Sequence, residues 1–176
     1  MIQYDARKPI YILLTQYRDT FSRAIGMLAG SKYMHTSIGL EDRSTFFSFN
    51  TKRGFCIETP LSKIRHTPCM LYRLDVPEYI YNDIAGRIQG FIDSNGRYKF
   101  NFIGTVLCLM RLPLWCSPFK IKDRYYCAQF VSELLYTTGA ATLRKPPARF
   151  LPKDFSKDPQ FRLCYKGALF GLAGTV

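Results

Sequence analysis

The run Asp123-Arg124-Tyr125-Tyr126-Cys127-Ala128-Gln129-Phe130-Val131-Ser132-Glu133-Leu134-Leu135 decides how this chain is organised. Apolar residues fall at 127, 130, 131, 134 and 135, the one-face spacing of an amphipathic helix. The basic, turn-like run Lys120-Ile121-Lys122-Asp123-Arg124 leads into it, and Gly139 follows Thr138 as a C-terminal stop. Cys127 therefore sits in the first helical turn, where unpaired N–H groups and the helix dipole favour an anion. With cationic residues close by in sequence, that is a setting suited to a nucleophilic thiol. The placement alone is not decisive. Cysteine is among the most buried residue types, and one on an apolar face more often packs than reacts.

The second part of the pattern lies far upstream. Residues 32–40 and 45–50 are strand-like and are separated by Glu41-Asp42-Arg43-Ser44, a hairpin signal. If Leu40 pairs with Thr45, His35 falls opposite Asn50 and Ser37 opposite Ser48. Ile38, Leu40, Phe47 and Phe49 then share the core face, and the face carrying His35 is mostly small or polar. A histidine with Asn50 or Ser48 across from it is a base with an orienting partner. Together with a thiol, these are the parts of a Cys–His catalytic arrangement. His66, the only other histidine, lies beside Pro68 in a loop and reads as a surface residue.

Around these two parts the chain reads as one domain of the α+β type over residues 1–176, with no repeat, low-complexity tract or linker. Pro9–Thr15 is a buried strand, Arg18–Ala29 a short helix stopped at Gly30, and Gly54–Glu58 another strand. Pro60–Arg65 suggests a helical turn and Cys69–Leu74 a strand. Pro77–Asp93 is a helix with Ile80, Ile84, Ile88, Phe91 and Ile92 on one face, ended by Asn95-Gly96. Asn101–Leu112 is a second, more buried helix. Leu151–Phe155 turns into a short helix, and Phe161–Tyr165 is a last strand.

Composition narrows the chemistry. Hydrophobic residues make up 47% of the 176, which excludes a disordered chain. The six cysteines contain no CxxC pair, so no metal site and no cofactor is expected. No export signal opens the chain and no apolar run reaches membrane-spanning length, so the thiols are expected to be reduced, in a cytoplasm. The net charge of +12 suits an anionic ligand or a membrane surface. The basic residues are scattered, and no nucleic-acid motif accompanies them.

His-Thr-Ser-Ile-Gly-Leu at 35–40, Phe-Ser-Phe-Asn at 47–50, Gly-Phe-Cys-Ile-Glu at 54–58 and Tyr-Cys-Ala-Gln-Phe-Val at 126–131 together resemble the circularly permuted papain-like enzymes. These are permuted relatives of NlpC-type peptidases, including YiiX-type bacterial proteins and the lecithin retinol acyltransferase group. In that family the His strand comes first and the Cys helix last, as here. The resemblance implies a permuted papain-like fold, a small antiparallel sheet packed against helices with the nucleophile at a helix N-terminus. It implies Cys127 as nucleophile, His35 as base and a third polar residue on the second hairpin strand, Asn50 or Ser48. Relatives often carry Cys-Ser-Gln-Phe and Ser-Phe-Gly where this chain has Cys-Ala-Gln-Phe and Ser-Phe-Asn.

The expected activity is that of a thiol hydrolase cleaving an amide, ester or thioester of a small-molecule, peptide or acyl substrate through a thioester on Cys127. Transfer of the acyl group to an amine is the variant. Tyr125 and Tyr126 are candidate phenolic donors to the site, and Thr15 and Gln16, at the end of the first strand, are candidate pocket residues. The rival expectation is a catalytically idle basic module that binds nucleic acid, a lipid surface or an acidic polymer.

Overall fold

The computed structural model describes residues 6–16, 30–41, 43–59, 66–110 and 121–172. Six strands form one sheet: β1 (Arg7–Thr15), β2 (His35–Gly39), β3 (Phe46–Asn50), β4 (Gly54–Glu58), β5 (Pro68–Pro77) and β8 (Arg162–Ala168). Their order is β4-β3-β2-β1-β5-β8, with every neighbouring pair antiparallel. Two short strands, β6 (Lys99–Phe100) and β7 (Arg124–Tyr125), pair in parallel apart from it. The helices are α1 (Glu78–Asp93), α2 (Phe102–Leu109), α3 (Cys127–Thr137), α4 (Pro152–Phe155) and α5 (Leu169–Leu172), with a 3₁₀ turn at Pro147–Arg149. The protein is thus of the α+β class.

The uninterrupted apolar run of β1 explains its central place. Ile10, Ile12 and Leu14 point into the main core, and the alternate Tyr11 and Leu13 into a second one. The main core joins Ile38, Phe47 and Phe49 of the hairpin to Ile80, Ile84 and Ile88 of α1 and to Phe130, Val131, Leu134 and Leu135 of α3. The second core sets Phe46, Cys69, Leu71, Leu169 and Leu172 around Tyr11 and Leu13. The small, polar hairpin face expected from the sequence is therefore covered too, and His35 is only 3% exposed.

The hairpin register is the expected one, since Ile38 faces Phe47 and Gly39 faces Phe46. That ladder stops there, and Ser48 spans the widening gap by donating its hydroxyl to the Thr36 carbonyl at 2.6 Å. The turn into β4 depends on Asn50, whose side-chain oxygen accepts the Lys52 and Arg53 N–H groups at 3.1 and 2.8 Å. It also depends on Gly54, at φ +73°, where any Cβ would strike the Tyr98 carbonyl.

Helix boundaries follow capping chemistry. Pro77 ends β5 and is the N-cap of α1, with Glu78 in the first turn. Asn101 caps α2, its side chain accepting the Gly104 N–H at 2.8 Å, while its own N–H donates to Tyr125 just before α3. Asn101→Ala is expected to cost about 1 kcal/mol of stability in urea unfolding, the usual loss of a capping side chain. The last strand runs on to Ala168, past the expected Tyr165, because residues 165–168 continue the pairing with residues 68–71 of β5. The expected helix Arg18–Ala29, the turn Pro60–Arg65, Cys116, Lys120 and the end of the helix expected to reach Leu112 lie outside the described residues. Among the described residues no helix is long and apolar enough to cross a membrane, and no His/Cys/Asp/Glu cluster could hold a metal.

Candidate functional site: a Cys–His–Glu cluster

Helix α3 begins at Cys127. Its first intrahelical bond runs from the Phe130 N–H to the Tyr126 carbonyl at 2.9 Å, so the N–H groups of residues 127–129 have no acceptor within the helix. The apolar stripe read from the sequence sits on a helix buried more widely than a stripe, since Ala128, Gln129 and Ser132 are enclosed as well. This packing sets the helix start against the beginning of β2. The Cys127 Sγ lies 3.9 Å from the carbonyl oxygen of Met34, the residue before His35.

His35 opens β2 opposite Thr15. Its Nε2 lies 2.9 and 3.0 Å from the two carboxylate oxygens of Glu58, a buried ion pair when the ring is protonated. The Cys127 side chain, like the Glu58 carboxylate, favours the protonated form of the same imidazole. Burial by itself pushes the His35 pKa down. The Glu58 carboxylate, with help from Cys127, outweighs it and raises His35 from 6.5 to about 9. Cys127, His35 and Glu58 thus lie together in one buried cluster.

The side chain paired with His35 is that of Glu58, and Asn50 and Ser48, expected across from it, bond elsewhere. The hydroxyl of Ser48 is engaged by Thr36 and the amide of Asn50 by the β3–β4 turn and by Cys56, at 3.2 Å from its Sγ. The sequence carried a signal for Glu58. On β4, Gly54, Cys56 and Glu58 alternate with Phe55 and Ile57, which puts an acid in phase with a buried cysteine. Glu58 is accordingly buried and Ile57 53% exposed. The Cys56 Sγ lies 3.8 Å from Glu58 and closes that side of the cluster.

The two tyrosines expected as donors are used elsewhere. The Tyr126 hydroxyl donates to the Ala148 carbonyl at 2.8 Å. Tyr125 packs among Phe49, Phe91 and Tyr98, and burial pushes its pKa up to about 12. Thr15 is brought to the cluster by its pairing with His35, whereas Gln16 is half-buried and gives its N–H to the Pro68 carbonyl. Thr15, Thr36, Ser37 and Gln129 bury side-chain polar atoms that find no partner among the described residues. Ordinary cores avoid such groups, and they gather here on β1, β2 and the first turn of α3. In comparisons with known proteins, no family model and no curated protein matches the chain.

Proposed function

We propose that the protein is a cysteine hydrolase that cleaves an amide, ester or thioester, with Cys127 as nucleophile, His35 as base and Glu58 as the residue that orients His35. The observation that carries this reading is the buried His35–Glu58 pair, with Cys127 at the start of α3 close enough to favour the charged imidazole. The order of the parts, His strand first and Cys helix last, supports membership of the circularly permuted papain-like, NlpC-type group.

The sulfur, its proton held on His35, attacks the substrate carbonyl carbon. The oxyanion that forms accepts from the N–H groups at the start of α3. On collapse, the carbon–heteroatom bond breaks and the leaving group takes the His35 proton, leaving a thioester on Cys127. Water then gives a proton to His35 and attacks the thioester, freeing the acid and restoring the thiol. An amine in place of that water would make the protein an acyltransferase.

Competitive alkylation tests the assignment. With iodoacetamide at neutral pH, mass spectrometry should show Cys127 modified first, although it is 8% exposed and Cys164 is open to solvent. His35→Ala should slow that reaction about a hundredfold, the scale of a lost proton-transfer partner. Alkylation of Cys164 ahead of Cys127 in the unmodified protein would reject the activated thiol.

A further inference from the structure

A second concave site lies on the segment that follows α3. A cavity of about 690 Å³ is lined by Arg144, Lys145, Arg149, Lys153 and Lys157, with two carboxylates, Asp154 and Asp158. Five cations against two anions leave three positive charges in excess on one cavity. Cys127 and His35 are not in its wall.

The carboxylates face inward on structural tasks. Asp154 is buried, accepting the Leu151 N–H at 2.9 Å as the N-terminal cap of α4 and the Lys145 ammonium at 2.8 Å. Asp158 is buried and takes both the main-chain and side-chain N–H of Gln160, each at 3.1 Å. Arg144, Lys145 and Lys157 are solvent-exposed, and Arg149 and Lys153 half-buried. The two carboxylates are thus buried in the wall, while Arg144 and Lys157 are exposed beside it.

We propose that this cavity binds a phosphorylated small molecule, its phosphate group held by Arg144, Arg149, Lys153 and Lys157 and its less polar body against Pro146 and Leu151. Guanidinium groups match phosphate oxygens in pairs, and ammonium groups add point charge. The volume falls in the range of small-molecule sites and exceeds what a bare phosphate ion would fill. The wall is also tied to the candidate catalytic helix. The 3₁₀ turn that bears Arg149 accepts hydrogen bonds at Ala148 from Tyr126 and at Pro147 from Ser132.

Isothermal titration with inorganic pyrophosphate, at ionic strength held constant with sodium chloride, tests the site. The unaltered protein is expected to give saturable binding. The double variant Arg144→Glu, Lys157→Glu should weaken it about tenfold or more, since each charge-assisted hydrogen bond is of that scale. A control of equal charge change, Lys52→Glu with Arg53→Glu at the exposed β3–β4 turn, should leave it within a factor of about two. Absence of saturable binding, or equal weakening in both variants, would overturn the proposal. Co-sedimentation with phosphatidylcholine vesicles containing phosphatidic acid separates the sources of the phosphate. Pocket-dependent sedimentation assigns it to a lipid headgroup, and pyrophosphate binding without sedimentation to a free molecule. Neither outcome depends on Cys127, so the site stands or falls apart from the hydrolase reading.

Discussion

Glu58→Gln is expected to destabilise the fold by about 3–5 kcal/mol at pH 6, the cost of removing one partner from a buried pair. It should also strip the protein of its steepest pH dependence. His35 has a pKa raised to about 9 in the folded state, against 6.5 for the ordinary side chain. A raised histidine contributes stability that is fully present below pH 6.5 and is lost as pH climbs through 9. The shift corresponds to about 3 kcal/mol. Urea unfolding of the unaltered protein should therefore show a decline between pH 6.5 and 9 that the Glu58→Gln variant lacks, with the two curves converging above pH 9. Without the carboxylate, burial dominates and the His35 pKa falls. With only two histidines in the chain, NMR titration of the ring protons resolves this directly. A His35 resonance that titrates near 6.5 in the unaltered protein would reject the pairing.

Phe49→Ala is expected to cost a similar 3–5 kcal/mol, roughly, or a fall in Tm of about 10 °C for a chain of this size. Phe49 is fully buried, with ring centroids of Phe55, Phe91, Tyr125 and Phe130 between 5.1 and 5.9 Å away. It joins β3 to α1, to β7 and to α3, so its loss loosens the seat of the Cys127 helix as well as the core. The alkylation advantage of Cys127 should shrink with it. Phe49→Leu, which keeps much of the volume, should retain most of both. Equal stability of the Ala and Leu variants would show that the aromatic cluster does not hold α3 in place.

Much of the frame was legible in the residues because periodicity and burial agree there. Pro9–Thr15 reads as a buried strand, Ile80, Ile84 and Ile88 read as one helical face, and pairing Leu40 with Thr45 leads to the observed register of Ile38 against Phe47. The site was half legible. Cys127 at a helix start and His35 on a strand are local facts, carried by spacing alone. Glu58 is not local to either. Its meeting with His35 depends on β4 folding back along β3 while the β2–β3 ladder opens at Ser48, a packing outcome that pairwise register does not contain. The same reason removed Asn50, whose amide does more for the turn than it could for the imidazole. Lys145-Pro146-Pro147 reads in sequence as a loop and Leu151–Phe155 as a turn into a short helix, with the charges scattered. Only the fold of 144–158 buries Asp154 and Asp158 against N–H groups while Arg144 and Lys157 stay exposed.

The order His35, Glu58, Cys127 along the chain sets a timetable for synthesis. The ribosome releases the N-terminal part first, so the strands bearing base and acid emerge well before the helix that bears the sulfur. Until α3 arrives, Ile38, Phe47 and Phe49 have no cover from that helix, and the His35–Glu58 pair has Cys56, not Cys127, as its neighbouring thiol. A nascent chain stalled before residue 127 thus carries His35 and Glu58 without Cys127, so under the proposed function it has the base and acid of the site but not its nucleophile, while β8 completes the sheet only after α3 has emerged.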